Sequence, residues 1–137
     1  MQYRPEAKEL LSTIQDLLIK EILPKIEGDE LLSYKTLVSW NMLGVLIRES
    51  EKEDEQNLEE FQSFLQLKSA IQEKNLTSEQ FRSLPRKEKL ILLRNWNVLL
   101  AKHLRETKNS EVGSDVWNQI KLGLKNNLAV SNPRFNA

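Results

Sequence analysis

The chain contains no cysteine. That excludes disulfides, thiolate nucleophiles, and cysteine-bound zinc or iron–sulfur clusters. It has one histidine, His103, in KHLRET, with Glu106 three residues after it. Di-iron carboxylate bundles use Glu-x-x-His on two helices, and a single histidine in the reverse order does not supply that set. A Ser-His pair would have to draw on the same His103. No serine sits in a Gly-x-Ser-x-Gly elbow, and there is neither a phosphate loop nor a dinucleotide fingerprint. No metal, no cofactor and no catalytic residue set is expected, so the chain leans away from being an enzyme. His103 reads as a partly exposed side chain near a helix end, where its positive form suits the helix dipole.

Charge of one sign is lacking too. Twenty basic and twenty acidic residues cancel, and without a basic excess no nucleic-acid partner is expected. Long apolar runs are missing. The most apolar window, Leu37 to Ile47, is shorter than the roughly 20 residues a bilayer span needs, so it reads as a buried helix and no membrane association is expected. The opening MQYRPEAKELL is polar and charged rather than signal-like, which fits a cytoplasmic protein. Glycine and proline number only four each.

What is present is helical periodicity. Apolar residues recur at three- and four-residue spacing without β-branched alternation. At 137 residues a single all-α domain, 1–137, is expected: a bundle of about five long helices plus one short one, with sequential helices antiparallel. The first helix starts at Pro5 with Leu10, Leu11, Ile14, Leu17, Leu18 and Ile22 as its stripe, and Pro24 and Gly28 stop it. Asp29 caps the second, central helix, which runs to about Ser50. An acidic connecting segment, about 49–57, leads to a helix with Leu58, Phe61, Leu65, Lys68 and Ile71. Thr77 or Ser78 caps a short helix through Phe81. Pro85 opens a helix with Leu90, Leu93, Asn97, Leu100, Ala101 and Leu104 on one face. The last helix presents Val116, Trp117, Ile120, Leu124 and Leu128, with Gly123 as a point of close approach. Asn-Pro at 132–133 ends it, and the extension 131–137 is expected to dock on the bundle, Phe135 against the apolar surface and Arg134 on orphan carbonyls or an acidic neighbour.

Two asparagines fall in apolar surroundings, Asn41 in the central helix and Asn97 on the Pro85 helix. A buried amide finds partners or costs about 1–3 kcal/mol. Each is therefore either a satisfied structural group or the polar floor of a pocket. Trp40, Trp96 and Trp117 sit on three separate helices and read as core anchors, with an exposed aromatic patch for a partner as the alternative. Residues 49–60 are acidic, whereas Arg82, Arg86, Lys87, Lys89 and Arg94 surround a single Glu88. The two stretches are each a solvated face, or they face one another within the chain or across a dimer.

Three segments, RPEAKELL, NMLGVLIRE and LAVSNPRF, resemble an uncharacterised family of small all-helical bacterial proteins. The likeness spans nearly the whole chain and is most specific at the C-terminal end. It rests on Arg4, Pro5, Glu9 and Leu10; on Asn41, Leu43, Arg48 and Glu49; and on Asn132, Pro133, Arg134 and Phe135. The family often has Phe-His where this chain has Tyr34-Lys35, and a small residue at Trp40. No activity is assigned to it, so no catalytic residue carries over. Its genes lie beside acyl-CoA dehydrogenase-like proteins and kinases resembling aminoglycoside phosphotransferases, which implies an accessory role near acyl-CoA metabolism.

The expectation is therefore a non-catalytic accessory protein that binds a partner enzyme or a second copy of itself. The alternative is a small-molecule module taking an acyl or phosphorylated ligand between helices. The candidate ligand or structural polar cluster is Asn41, Arg48, Glu49, Asn97, Asn132 and Arg134, and the three resembling segments are expected to meet.

Overall fold

The computed structural model describes residues 5–67, 76–108 and 111–134. Among them are five α-helices and no strand: α1 (Ala7–Asp16), α2 (Glu30–Gln66), α3 (Ser78–Ser83), α4 (Arg86–Thr107) and α5 (Asp115–Ser131). The fold is all-α. Its contacts form two compact units, Met1–Lys52 and Glu53–Ala137.

The first unit is a helical hairpin. The carboxylate of Glu9 accepts from the Glu6 N–H at 2.8 Å, closing the start of α1. After Asp16 the backbone widens into a π-helical stretch, Leu17–Ile22, then tightens into a 3-10 turn, Leu23–Lys25. Pro24 accounts for the break, because it has no N–H to donate to residue 20 and its ring crowds that carbonyl. Asp29 caps α2 as expected, accepting from the Leu32 N–H at 2.9 Å. The returning helix is antiparallel to α1. Ser33 donates to the Ile26 carbonyl at 2.9 Å, Gln15 to the Trp40 carbonyl at 2.8 Å, and Lys8 pairs with Glu51.

The acidic stretch is not a linker, which corrects the expectation of a connecting segment at 49–57. Residues 49–60 lie inside the 37-residue α2. They hold no glycine or proline, and their Glu, Lys and Gln are good helix formers. Where α2 enters the second unit, its carboxylates meet the basic side chains of α4. Arg86 grips Glu53 with two bonds of 2.7 Å, and Lys89 lies 3.7 Å from Asp54.

The core of the second unit is Phe61, Phe64, Leu67, Phe81, Leu93, Trp96 and Leu100. Three rings stack in it. Phe61 lies 4.2 Å from Phe81 and 5.3 Å from Trp96, both nearly parallel, and Phe64 meets Trp96 edge-on at 5.6 Å. A six-residue helix has no stability of its own, so α3 depends on two supports. Its N-terminus is held by a reciprocal box, in which Thr77 accepts from the Gln80 N–H and Gln80 accepts from the Thr77 N–H. Its Phe81 is buried in the core. Lys108 ends α4 in the left-handed region at φ 51°. Gly113, at φ 84°, makes the turn into α5, where Ser114 accepts from the Trp117 N–H.

α5 turns inward a face that overlaps only part of its apolar stripe. Val116 packs against the core and Leu128 is half-buried, but Trp117, Ile120 and Leu124 are exposed, while Gln119 is buried and Leu122, Gly123, Asn126 and Ala129 are half-buried. The inner face is fixed by amides. Asn126 donates to Glu59 at 3.2 Å, and its carbonyl accepts from Gln56 at 3.4 Å. Gly123 is not a close-approach point, since a Cβ there would meet nothing within 4 Å.

Candidate functional site

In the second unit a polar seam runs along α2. Glu53, Asp54 and Glu60 take partners from α4, and Gln56 and Glu59 from α5. The Asn97 amide spends both hydrogens here, on Glu60 Oε1 at 2.7 Å and on the Leu93 carbonyl at 3.0 Å. Burial pushes the Glu60 carboxyl above the ordinary carboxylate range, and the Asn97 hydrogen bond pulls part of the way back. Two buried amide atoms have no partner among the described residues, Asn57 Nδ2 and Gln119 Oε1. Lys89 lies 5.9 Å from the centre of the Phe81 ring, so the charge opposing Asp54 also caps an aromatic face.

A cleft of about 360 Å³ lies beside α4, lined by Leu76, Leu84, Glu88, Ile91, Leu92 and Asn95. None of the six expected cluster residues lines it. Among the described residues no three His, Asp or Glu side chains group as a metal site, and no helix is long and apolar enough to cross a membrane.

The first unit is built differently. Among its described residues only Thr36 and Gly44 are buried. Leu11, Leu18, Ile19, Leu43, Val45 and Ile47 are only half-buried. A Cβ on Gly44 would come within 3.1 Å of both Gln15 Nε2 and Arg48 Nη1, so the glycine lets the Gln15 amide reach the Trp40 carbonyl. Twelve large apolar side chains between Leu10 and Leu46 are exposed, Tyr34, Trp40 and Met42 among them. At the open end Glu51 bonds to Lys8 and holds its ammonium above the usual range. Both groups are solvated, so the pair adds little stability.

The expected cluster is distributed over both units. Asn41 is exposed, not buried, because it lies on the outer side of α2. Arg48 is half-buried against Gly44, and Glu49 is exposed. Asn97 is exposed by area yet fully engaged with Glu60 and Leu93. Asn132 ends α5 with φ −147°, as the following proline requires, and donates to the Leu128 carbonyl at 2.8 Å. Arg134 is exposed rather than held in the bundle. Arg4 and Phe135, and with them the docking of the last residues, lie outside the described residues, as do Lys68 and Ile71. Of the three tryptophans only Trp96 is a core residue, Trp40 and Trp117 being exposed. The residues that periodicity did not flag are Asn57, Glu60 and Gln119. Gln119 carried a usable signal, lying three residues from both Val116 and Leu122 on the face α5 buries.

Compared with protein-family models, with curated proteins and with solved structures, the chain matches none.

Proposed function

We propose that this is a non-catalytic helical interaction protein, acting through the hairpin of its first unit on another protein. The observation that carries the reading is the open construction of that hairpin. Among its described residues the two fully buried positions are Thr36 and Gly44, no large apolar side chain is fully buried, and twelve are exposed. Soluble monomers rarely expose contiguous apolar surface of this kind unless it is a site of contact. The second unit, by contrast, buries an aromatic core. The resemblance of its end and central segments supports an enzyme of acyl-CoA metabolism, of the acyl-CoA dehydrogenase class, as the partner, and with it a cytoplasmic location.

The test is photo-crosslinking in cells. A photoreactive residue replaces Leu10, Leu37 or Met42, with exposed Lys125 as the control, and adducts are identified by mass spectrometry. Intermolecular adducts from the apolar positions and none from Lys125 are expected. Absence of adducts at all three sinks the proposal.

A second reading rests on the cleft beside α4. Its volume lies at the lower end of the usual range for ligand sites, about 300–1,000 Å³, and its Leu76, Leu84, Ile91 and Leu92 walls suit an acyl chain. Calorimetric titration with a short-chain acyl-CoA tests it. No heat from the parent protein, or equal heat from Leu92→Trp, removes it.

A further inference from the structure

On α2, residues 31, 35, 38, 42, 46 and 49 follow three- and four-residue spacing and share one face. That face is turned away from the contact with α1, which uses the Trp40 carbonyl and Gly44. Its centre is apolar and open: Met42 is 63% exposed, flanked by exposed Val38 and Leu46, and Leu31 at one end is as open. Toward its ends stand two exposed charges of opposite sign, Lys35 and Glu49, neither in an ion pair among the described residues.

We propose that this face is a homodimer interface, in which α2 packs antiparallel on α2 of a second copy about a two-fold axis beside Met42. The proposal rests on the reading of the hairpin as a docking unit and assigns this one face of it to a second copy, leaving the exposed apolar residues of α1 for the other protein. The charges select the occupant and the direction. Under a two-fold axis at residue 42, position i faces position 84 − i. Lys35 then faces Glu49 of the second copy, and Glu49 faces its Lys35, so the interface gains two ion pairs. Val38 faces Leu46 on either side of a central Met42–Met42 contact. A parallel pairing would set lysine on lysine and glutamate on glutamate. The midpoint of the two charges coincides with the most open apolar residue at the centre of the face, which is what a self-complementary, isologous surface requires. The contact from residue 35 to 49, symmetric about 42, extends about 21 Å at 1.5 Å per residue, a length suited to a reversible dimer near the lower end of stable interfaces.

Light scattering after size exclusion, on the full chain at roughly 50 µM, well above a micromolar dissociation constant, tests the proposal. A mass of twice 16.0 kDa is expected. Met42→Glu, which sets two like charges together at the axis, should return the mass of one chain with an unchanged helical spectrum. Lys35→Glu and Glu49→Lys should each weaken the dimer about tenfold or more by facing like charges twice. Mixed together, these two variants should form a heterodimer, because each then supplies the other's missing sign. A monomeric parent chain at that concentration overturns the proposal, as does a dimer that survives Met42→Glu or a mixture that does not associate. A monomer that still gives crosslinks from position 42 to a different protein would defeat the second-copy assignment while leaving the hairpin's docking role intact.

Discussion

Removing the Trp96 ring tests the core of the second unit most directly. Trp96 is 3% exposed and touches two phenylalanines, stacked on Phe61 and edge-on to Phe64. Trp96→Ala loses the transfer energy of a large buried ring, leaves a closed cavity, and forfeits two aromatic pairs. Together these come to about 4 kcal/mol, within the usual 3–5 for such a truncation. Unfolding entropy scales at about 2.1 cal/mol/K per residue, so 137 residues give about 0.29 kcal/mol/K and a drop in melting temperature near 14 °C. Trp117, in the same unit, is 39% exposed. Its truncation opens to water rather than to a void and should cost no more than about 2 kcal/mol. Trp96→Phe keeps a ring against Phe61 and should lie between, at about 1.5 kcal/mol. Thermal melts followed by circular dichroism measure all three. Equal losses for Trp96→Ala and Trp117→Ala would refute the argument, because the stacked core would then not be where the stability resides.

Other variants probe the seams. Glu60 binds its proton more tightly folded than unfolded, so its contribution is most favourable at acid pH and is lost as pH rises through its raised folded value. Glu60→Gln, which keeps an oxygen for Asn97, should raise the urea midpoint at pH 7 and leave it little changed near pH 4; a lower midpoint at pH 7 counts against the burial argument. Gln119→Met removes the unpartnered Oε1 at similar volume and should stabilise by about 1 kcal/mol in the same assay. Thr77→Ala opens the box that starts α3 and should cost about 1 kcal/mol. Lys108→Gly relieves a left-handed φ of 51° and should gain about 0.5 kcal/mol after the extra chain entropy of glycine is subtracted.

The helices themselves were legible because their stops are local chemistry. Asp29, Thr77, Pro24 and Asn132-Pro133 each act within four residues, and each sits at an observed boundary. Of the two readings left open for the basic and acidic stretches, the pairs Arg86–Glu53 and Lys89–Asp54 match the one in which they face each other within the chain. What periodicity could not give was which face points inward when the competing faces differ in polarity. On α5 the apolar stripe of Trp117, Ile120 and Leu124 lost to Gln119 and Asn126, because amide bonds to α2 orient the helix. On α2 the same logic hid the seam. Ser33, Thr36 and Gly44 look like gaps in an apolar helix, yet Ser33 ties down the turn at Ile26, Thr36 and Gly44 are buried, and Gly44 is where Gln15 of α1 comes close. Asn41 sits among apolar neighbours in sequence, yet its own side chain is exposed beside the open Leu37 and Val38. The acidic stretch resembles a break in its charge density, although nothing in it stops a helix.

The three stacked rings also bear on how quickly the second unit assembles. Phe61 and Phe81 are 20 positions apart (81 − 61), and Phe61 and Trp96 are 35 apart (96 − 61). All seven core side chains fall between Phe61 and Leu100. Each doubling of such a loop adds only about 0.6 kcal/mol of closure entropy. The core of this unit comes from a stretch of about forty residues in which α3 is the short clasp between two long helices. Substitutions at Phe81 should slow folding rather than merely hasten unfolding, because the clasp has to close before the stack can form.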